Sequence, residues 1–168
     1  MKLNKVLLAM AAAVCITSTA QASTGQFTFT GTVEDTPCSI KAGELDQTFD
    51  FGTLSQSSLS GGGTSQAETV DIELTGCDTT TKKTARFAFT GPAGHGDTFA
   101  ASGVNNLGIL LSLNQTTISP GSTINHALHN GDNFLRFNAV AMGDPDGTTK
   151  PVGTGNFNSV AQFTITYP

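Results

Sequence analysis

Short runs of alternating apolar and polar residues recur along the chain, separated by stretches rich in Gly, Ser, Thr and Asn. This alternation is typical of β-strands, whereas no stretch of about ten residues keeps the 3.6-residue period of an amphipathic helix. The clearest runs begin at Phe27, Val70, Ala85, Phe134 and Phe157, the last continuing to the chain end. A further run, Leu107 to Leu113, is nearly all apolar and predicts a strand buried on both faces. About seven short strands at this spacing predict an antiparallel β-sandwich.

The N-terminus has the pattern of a secretory signal peptide. Two lysines precede an apolar run over residues 6–16, and the small residues Ala20 and Ala22 suit cleavage directly after them. The apolar run is too short to span a bilayer. The alternative is a lipoprotein signal centred on Cys15, but that cysteine lies inside the apolar run. We therefore expect residues 1–22 to be removed on export.

The two cysteines that remain predict a disulfide. Removal of residues 1–22 leaves 146 residues, which suits a single domain, and retains Cys38 and Cys77. A pair of cysteines in an exported chain indicates a bridge, because the compartments outside the cytoplasm are oxidising. The bridge would close a loop of about 40 residues and contribute roughly 4 kcal/mol on the chain-entropy model.

The charge of the chain argues against nucleic-acid binding. Loss of Lys2 and Lys5 from the 8 basic residues, against 13 acidic ones, takes the formal net charge from −5 to −7. The remaining basic residues are scattered and form no patch that would neutralise phosphates.

Catalytic and metal-binding patterns are weak. His126 and His129 could share a metal, but the residues around them resemble a turn, and a zinc or copper site needs three or four ligands. His95 lies in another predicted turn. Asp144 and Asp146 bracket a proline, which indicates a turn more than a calcium site. No Gly-x-Ser-x-Gly nucleophile motif occurs. We expect neither an enzyme nor a cofactor.

Five segments together resemble the chaperone–usher pilins, above all the type 1 fimbrial subunits. They follow the family's order along the whole predicted mature chain: Thr30-Gly31-Thr32-Val33 leading to Pro37-Cys38, Ile72-Glu73-Leu74-Thr75-Gly76-Cys77, Asn106-Leu107-Gly108-Ile109-Leu110-Leu111, Gly155 at the fourteenth position from the C-terminus, and Ala161-x-Phe163-x-Ile165-x-Tyr167-Pro168. The stretch Val140 to Met142 departs from the family, in which many members carry an aromatic residue there.

The resemblance implies an incomplete immunoglobulin-like sandwich that a strand from the neighbouring subunit completes. It divides the chain into an N-terminal extension over 23–37 and a pilin domain over 38–168. The donor face of the extension would be Phe27, Phe29, Gly31 and Val33. The strand that borders the acceptor groove and is recognised by a chaperone would include Gly155, Ala161, Phe163, Ile165 and Tyr167. The alternative is that residues 26–33 pair within their own domain, with Gly31 as a bulge.

The resemblance also implies the partners and the place of the protein. Other pilin subunits, a periplasmic chaperone and an outer-membrane usher would bind it, and the assembled cell-surface fimbria would support adhesion to a host surface. The rank of the subunit stays open between a major rod component and a minor tip-fibrillum or adaptor subunit. A carbohydrate-binding adhesin module is the remaining alternative.

Overall fold

The computed structural model describes residues 24–146 and 151–168, so the predicted signal peptide lies outside the described residues. The chain divides into a unit that ends at Glu34 and a compact unit over Asp35–Pro168. Residues 24–34, called the arm below, contain neither helix nor strand. Within the described ranges, no helix has the length and apolar character needed to cross a membrane.

The unit that begins at Asp35 is built from nine strands and one short helix, counted over the described residues. In chain order they are β1 (Ser39–Ile40), α1 (Gln56–Leu59), β2 (Glu68–Cys77), β3 (Thr84–Thr90), β4 (Phe99–Ala100), β5 (Leu107–Leu113), β6 (Thr116–Ile118), β7 (Thr123–Ala127), β8 (Gly131–Gly143) and β9 (Gln162–Thr166). The larger sheet has the order β1-β2-β8-β5-β4, with β6 also paired to β5, and the smaller sheet has the order β7-β3-β9. Every strand pair is antiparallel.

The core lies between the two sheets because alternate residues of the central strands point inward. Ile72 and Leu74 of β2 are fully buried, and Phe87 and Phe89 of β3 meet them from the other sheet. Thr69 and Asp71, which lie on the opposite face of β2, are exposed. Burying one apolar face of each sheet is the main stabilising term of such a fold. The predicted antiparallel sandwich is confirmed.

The predicted disulfide is also confirmed. Cys38 precedes β1 and bonds to Cys77 at the end of β2, with both cysteines buried. Ser39 and Ile40 pair with Thr75 and Leu74, so the bridge closes the end of a ladder that is only two residues long. The covalent link thereby fixes the point at which the chain enters the sandwich.

Some predicted elements differ from the structure. The predicted final strand from Phe157 is shorter, because β9 begins only at Gln162. Asn158 pairs instead with Ser102, through two backbone hydrogen bonds of 2.8 and 3.0 Å. The run from Phe27 to Val33 forms no strand. His126 was predicted to lie in a turn, but it lies in the edge strand β7, where it pairs with Ala85 of β3.

A second, smaller core surrounds α1. Leu59, Leu107, Ala141 and Val152 are buried together there. The backbone also packs closely at Gly63, where a Cβ would lie 1.9 Å from the carbonyl oxygen of Ser58. This part of the chain is therefore closely packed.

Candidate functional site

Strand β9 is one of the two edges of the smaller sheet and pairs with β3. Beside it runs a long groove between two segments of mostly irregular backbone. We call residues 45–54 the first wall and residues 152–163 the second wall. The groove is formed because both segments leave the ladders of the two sheets while their apolar side chains still face the core.

The half of the groove next to β9 is an apolar cavity of about 370 Å³. Its floor consists of core residues from both sheets: Ile72, Phe89, Leu111 and Phe137. At its rim, Leu45 of the first wall and Val160 of the second are 51% and 53% exposed. The groove thus reaches down to the core of the sandwich along this edge.

The other half is a cavity of about 560 Å³ that reaches the helix α1. Both cavities share Phe49, Phe51 and Phe157, so they are two parts of one groove. The rings of Phe51 and Phe157 lie 6.1 Å apart, centroid to centroid, where the two cavities meet. Gly155 lines this second cavity with a φ of 140°, a conformation that favours glycine.

Four phenylalanines connect the groove to the core. Every pair of rings among Phe87, Phe89, Phe137 and Phe163 has a centroid separation between 6.2 and 6.4 Å. Such separations are favourable for aromatic pairs. Phe163 comes from β9 and is half-buried, whereas the other three are buried. The ring of Phe163 therefore packs the edge strand against the core.

The arm is apolar on alternate residues and exposed. Phe27, Phe29 and Val33 are 86%, 90% and 99% exposed. The two phenylalanine rings are 6.5 Å apart. An added Cβ on Gly31 would find nothing within 4 Å.

The sequence matches the family model for fimbrial proteins over residues 27–168. It is 36% identical to the Fimbria A protein of Serratia marcescens, with 99% of each chain covered. It is 37% identical to the Pap fimbrial major pilin protein of Escherichia coli, over 85% of this chain and 83% of the relative. Among solved structures, a chaperone–usher pilus studied for rod uncoiling matches with a TM-score of 0.78 and 36% identity, covering 90% of this chain and 99% of the other.

The chain belongs to the fimbrial protein family. It is a structural, non-enzymatic pilus subunit of the cell surface, and its sandwich has the immunoglobulin-like pilin fold. The P pilus rod subunit PapA also matches, with a TM-score of 0.70, 35% identity and coverage of 79% of this chain and 100% of PapA. The family prediction, the function as a pilus subunit and the non-enzymatic class are confirmed.

The structure places the predicted groove residues of this fimbrial subunit along the second wall and β9. Phe163 and Ile165 are half-buried and point inward, whereas Ala161 is exposed and lines the first cavity. Tyr167 follows β9, and burial raises the pKa of its hydroxyl group. Ala161 precedes β9 and does not share the burial of Phe163 and Ile165. The chaperone role of these residues stays a prediction.

Sequence reasoning missed the first wall. Phe49 and Phe51 contribute to both cavities, and Leu45 contributes to the rim. The signal that could have found the wall is the short alternation Phe49-x-Phe51 between two polar stretches. Its backbone forms no regular strand, so the period-two signal is only three residues long.

The histidines form no metal site. Over residues 24–146 and 151–168, no group of three or more His, Cys, Asp or Glu side chains is placed to hold a metal ion. His126 shares the inner face of β3 and β7 with Ala85. Burial lowers the pKa of His126 below its usual value, and the nearby His129 lowers it further.

Proposed function

We propose that this fimbrial subunit polymerises by donor-strand exchange, in which the arm of one copy fills the groove of the next. Residues 1–22 act as the signal peptide in this scheme. A periplasmic chaperone occupies the groove before assembly, and an outer-membrane usher conducts the subunit to the surface. The assembled fibre then supports adhesion.

One observation carries the proposal. Among the described residues, the six large apolar side chains that are most exposed are Phe27, Phe29, Val33, Leu45, Phe134 and Val160. Three of them lie on the arm and two lie on the rim of the groove. A single chain that exposes both an apolar strand and an apolar groove has the two complementary parts of a head-to-tail fibre.

The physical mode is β-strand addition. Backbone hydrogen bonds from the incoming strand would pair with the free edge of β9, and alternate side chains would enter the groove. Burial of Phe27, Phe29 and Val33 would each contribute about 1.5–3 kcal/mol. Pairing also removes an exposed sheet edge, which otherwise promotes aggregation. Gly31 would stand where the incoming backbone approaches the groove closely.

The relatives also favour one rank. The Escherichia coli protein at 37% identity and a Proteus mirabilis protein at 28% identity are both named as major fimbrial proteins. The alignment with the Proteus mirabilis protein covers 99% of each chain. We therefore assign it the major rod position in preference to the tip-fibrillum or adaptor position.

Deletion of Ser23 to Val33 tests the proposal. With chaperone and usher co-expressed, the variant should still form a soluble chaperone complex but should fail to donate a strand, so fibres should be absent by electron microscopy. The Phe27→Asp and Phe29→Asp double variant should behave in the same way, whereas Phe134→Asp is the matched control and should still polymerise. Full polymerisation of the deletion variant would refute donor-strand exchange.

A further inference from the structure

A hydrogen bond joins the two walls at one end of the groove. The side-chain Nε2 of Gln56 donates to the backbone oxygen of Val152 over 2.5 Å. Gln56 is the first residue of α1, just beyond the first wall, and Val152 begins the second wall. The contact therefore lies at the end of the groove farthest from β9.

This hydrogen bond and the ring contact between Phe51 and Phe157 follow the same residue register between the two walls. Five residues before Gln56 lies Phe51, and five residues after Val152 lies Phe157, whose ring meets that of Phe51. The two walls thus run antiparallel and keep the same offset over this stretch. Two side-chain contacts hold that offset, and residues 151–157 belong to no strand.

Both ends of the hydrogen bond are firmly anchored. Leu59 of α1 and Val152 are each 3% exposed and pack in the same small core. The amide of Gly153 donates to the carbonyl oxygen of Asn105 over 3.0 Å. On the helix side, the backbone of Gly143 packs so closely that an added Cβ would lie 1.9 Å from the carbonyl oxygen of Leu59. The side chain of Gln56 therefore connects two fixed points.

We propose that Gln56 is a positioning residue for strand acceptance, holding the walls at the separation and offset that an incoming strand requires. The inference rests on the proposed function. A strand inserted between two others needs about 10 Å between them, twice the usual strand spacing. The small core joins the two walls at their base. Without the hydrogen bond of Gln56, the incoming strand has to order the irregular segments beside the groove as it binds, and that ordering weakens binding. Gln56 keeps the empty groove ready for occupation.

The experiment measures binding of a synthetic peptide with the sequence of residues 24–35. The acceptor is the purified full-length subunit released from its chaperone, with Phe29→Asp in all samples so that its own arm cannot donate. Gln56→Met removes the donor but keeps a side chain of similar length. Gln56→Lys keeps a donor of similar reach. Gln66→Met is the matched control, because Gln66 is an exposed glutamine between α1 and β2 and lies outside both cavities.

Gln56→Met should raise the dissociation constant of the peptide about three- to tenfold, the range expected for one hydrogen bond. Gln56→Lys should recover most of the affinity, and Gln66→Met should bind like the parent. Denaturant unfolding of the unbound acceptors checks that all are folded. Equal or tighter binding by Gln56→Met, with normal binding by the parent, would overturn the role of Gln56 alone. Failure of the parent to bind the peptide would overturn the proposed strand exchange itself.

Discussion

The ring of Phe163 lies 6.3 Å, centroid to centroid, from the ring of Phe89. Phe163 belongs to the edge strand that borders the groove, and Phe89 is a central core residue that lines the groove floor. One aromatic contact therefore serves both the stability of the sandwich and the shape of the groove. A change in this ring should alter both properties together.

Phe163→Ala should lower the free energy of unfolding of the subunit by about 2–4 kcal/mol, because it removes a ring from a packed aromatic cluster and leaves a cavity. Urea unfolding followed by circular dichroism measures this change. Phe134→Ala is the matched control, since that ring is 63% exposed and its removal should cost less than about 1 kcal/mol. Equal losses from the two variants would contradict the role assigned to the cluster.

Gly31→Leu should leave the unfolding free energy of the subunit unchanged but reduce the yield of surface fimbriae at least tenfold. The first expectation follows because an added Cβ at Gly31 has open space around it. The second follows from the proposed close approach of the incoming backbone to the groove. Fimbriae sheared from the cells and quantified by immunoblot give the yield.

Gly25→Leu is the control for this change, because Gly25 also has open space and lies before the first residue of the proposed donor face, Phe27. It should assemble normally. A normal fimbrial yield from Gly31→Leu would contradict the proposal that the backbone approaches the groove closely at Gly31.

The sequence predicted the parts of the fold that depend on local pattern. The burial of Ile72 and Leu74 follows from alternation along β2, and the bridge from Cys38 to Cys77 follows from export chemistry. The first wall could not be predicted in this way, because Phe49 and Phe51 lie on irregular backbone and are positioned by tertiary packing. The close contact of Gly63 with Ser58 could not be predicted either, since the sequence does not distinguish a packed glycine from a flexible one.

The candidate site was predictable only in part for a related physical reason. The alternation of apolar and polar residues predicts that Phe163 and Ile165 face the groove. A groove has two walls, however, and this alternation identifies only one of them. The contact between Gln56 and Val152 joins residues 96 positions apart, and a single glutamine carries no pattern that indicates its partner. Sequence periodicity therefore located one side of the groove and gave no information on how the sides are held together.

Replacement of both Cys38 and Cys77 by alanine should lower the free energy of unfolding by about 4 kcal/mol, because the bridge restricts the unfolded chain. The β1 ladder should be lost first, since it has only two residue pairs. Hydrogen exchange at Thr75, whose amide faces β1, reports on that ladder. Reduction of the parent protein under native conditions should reproduce the loss. Slow exchange at Thr75 in the variant would contradict this prediction.

The stability of the subunit should decrease as the pH falls below about 6.5, through the ionisation of His126. Burial in the folded chain lowers the pKa of His126, and the positive charge of His129 adds to this effect. Between the two pKa values, the unfolded chain therefore binds a proton at His126 more readily than the folded chain does. The stabilising contribution of His126 is intact above the pKa of the unfolded chain and is lost as the pH drops through the pKa of the folded chain. Unfolding free energies measured from pH 8 to pH 4.5 give the slope. His126→Leu should remove this component, His129→Asn should reduce it, and an unchanged slope in His126→Leu would show that another group is responsible.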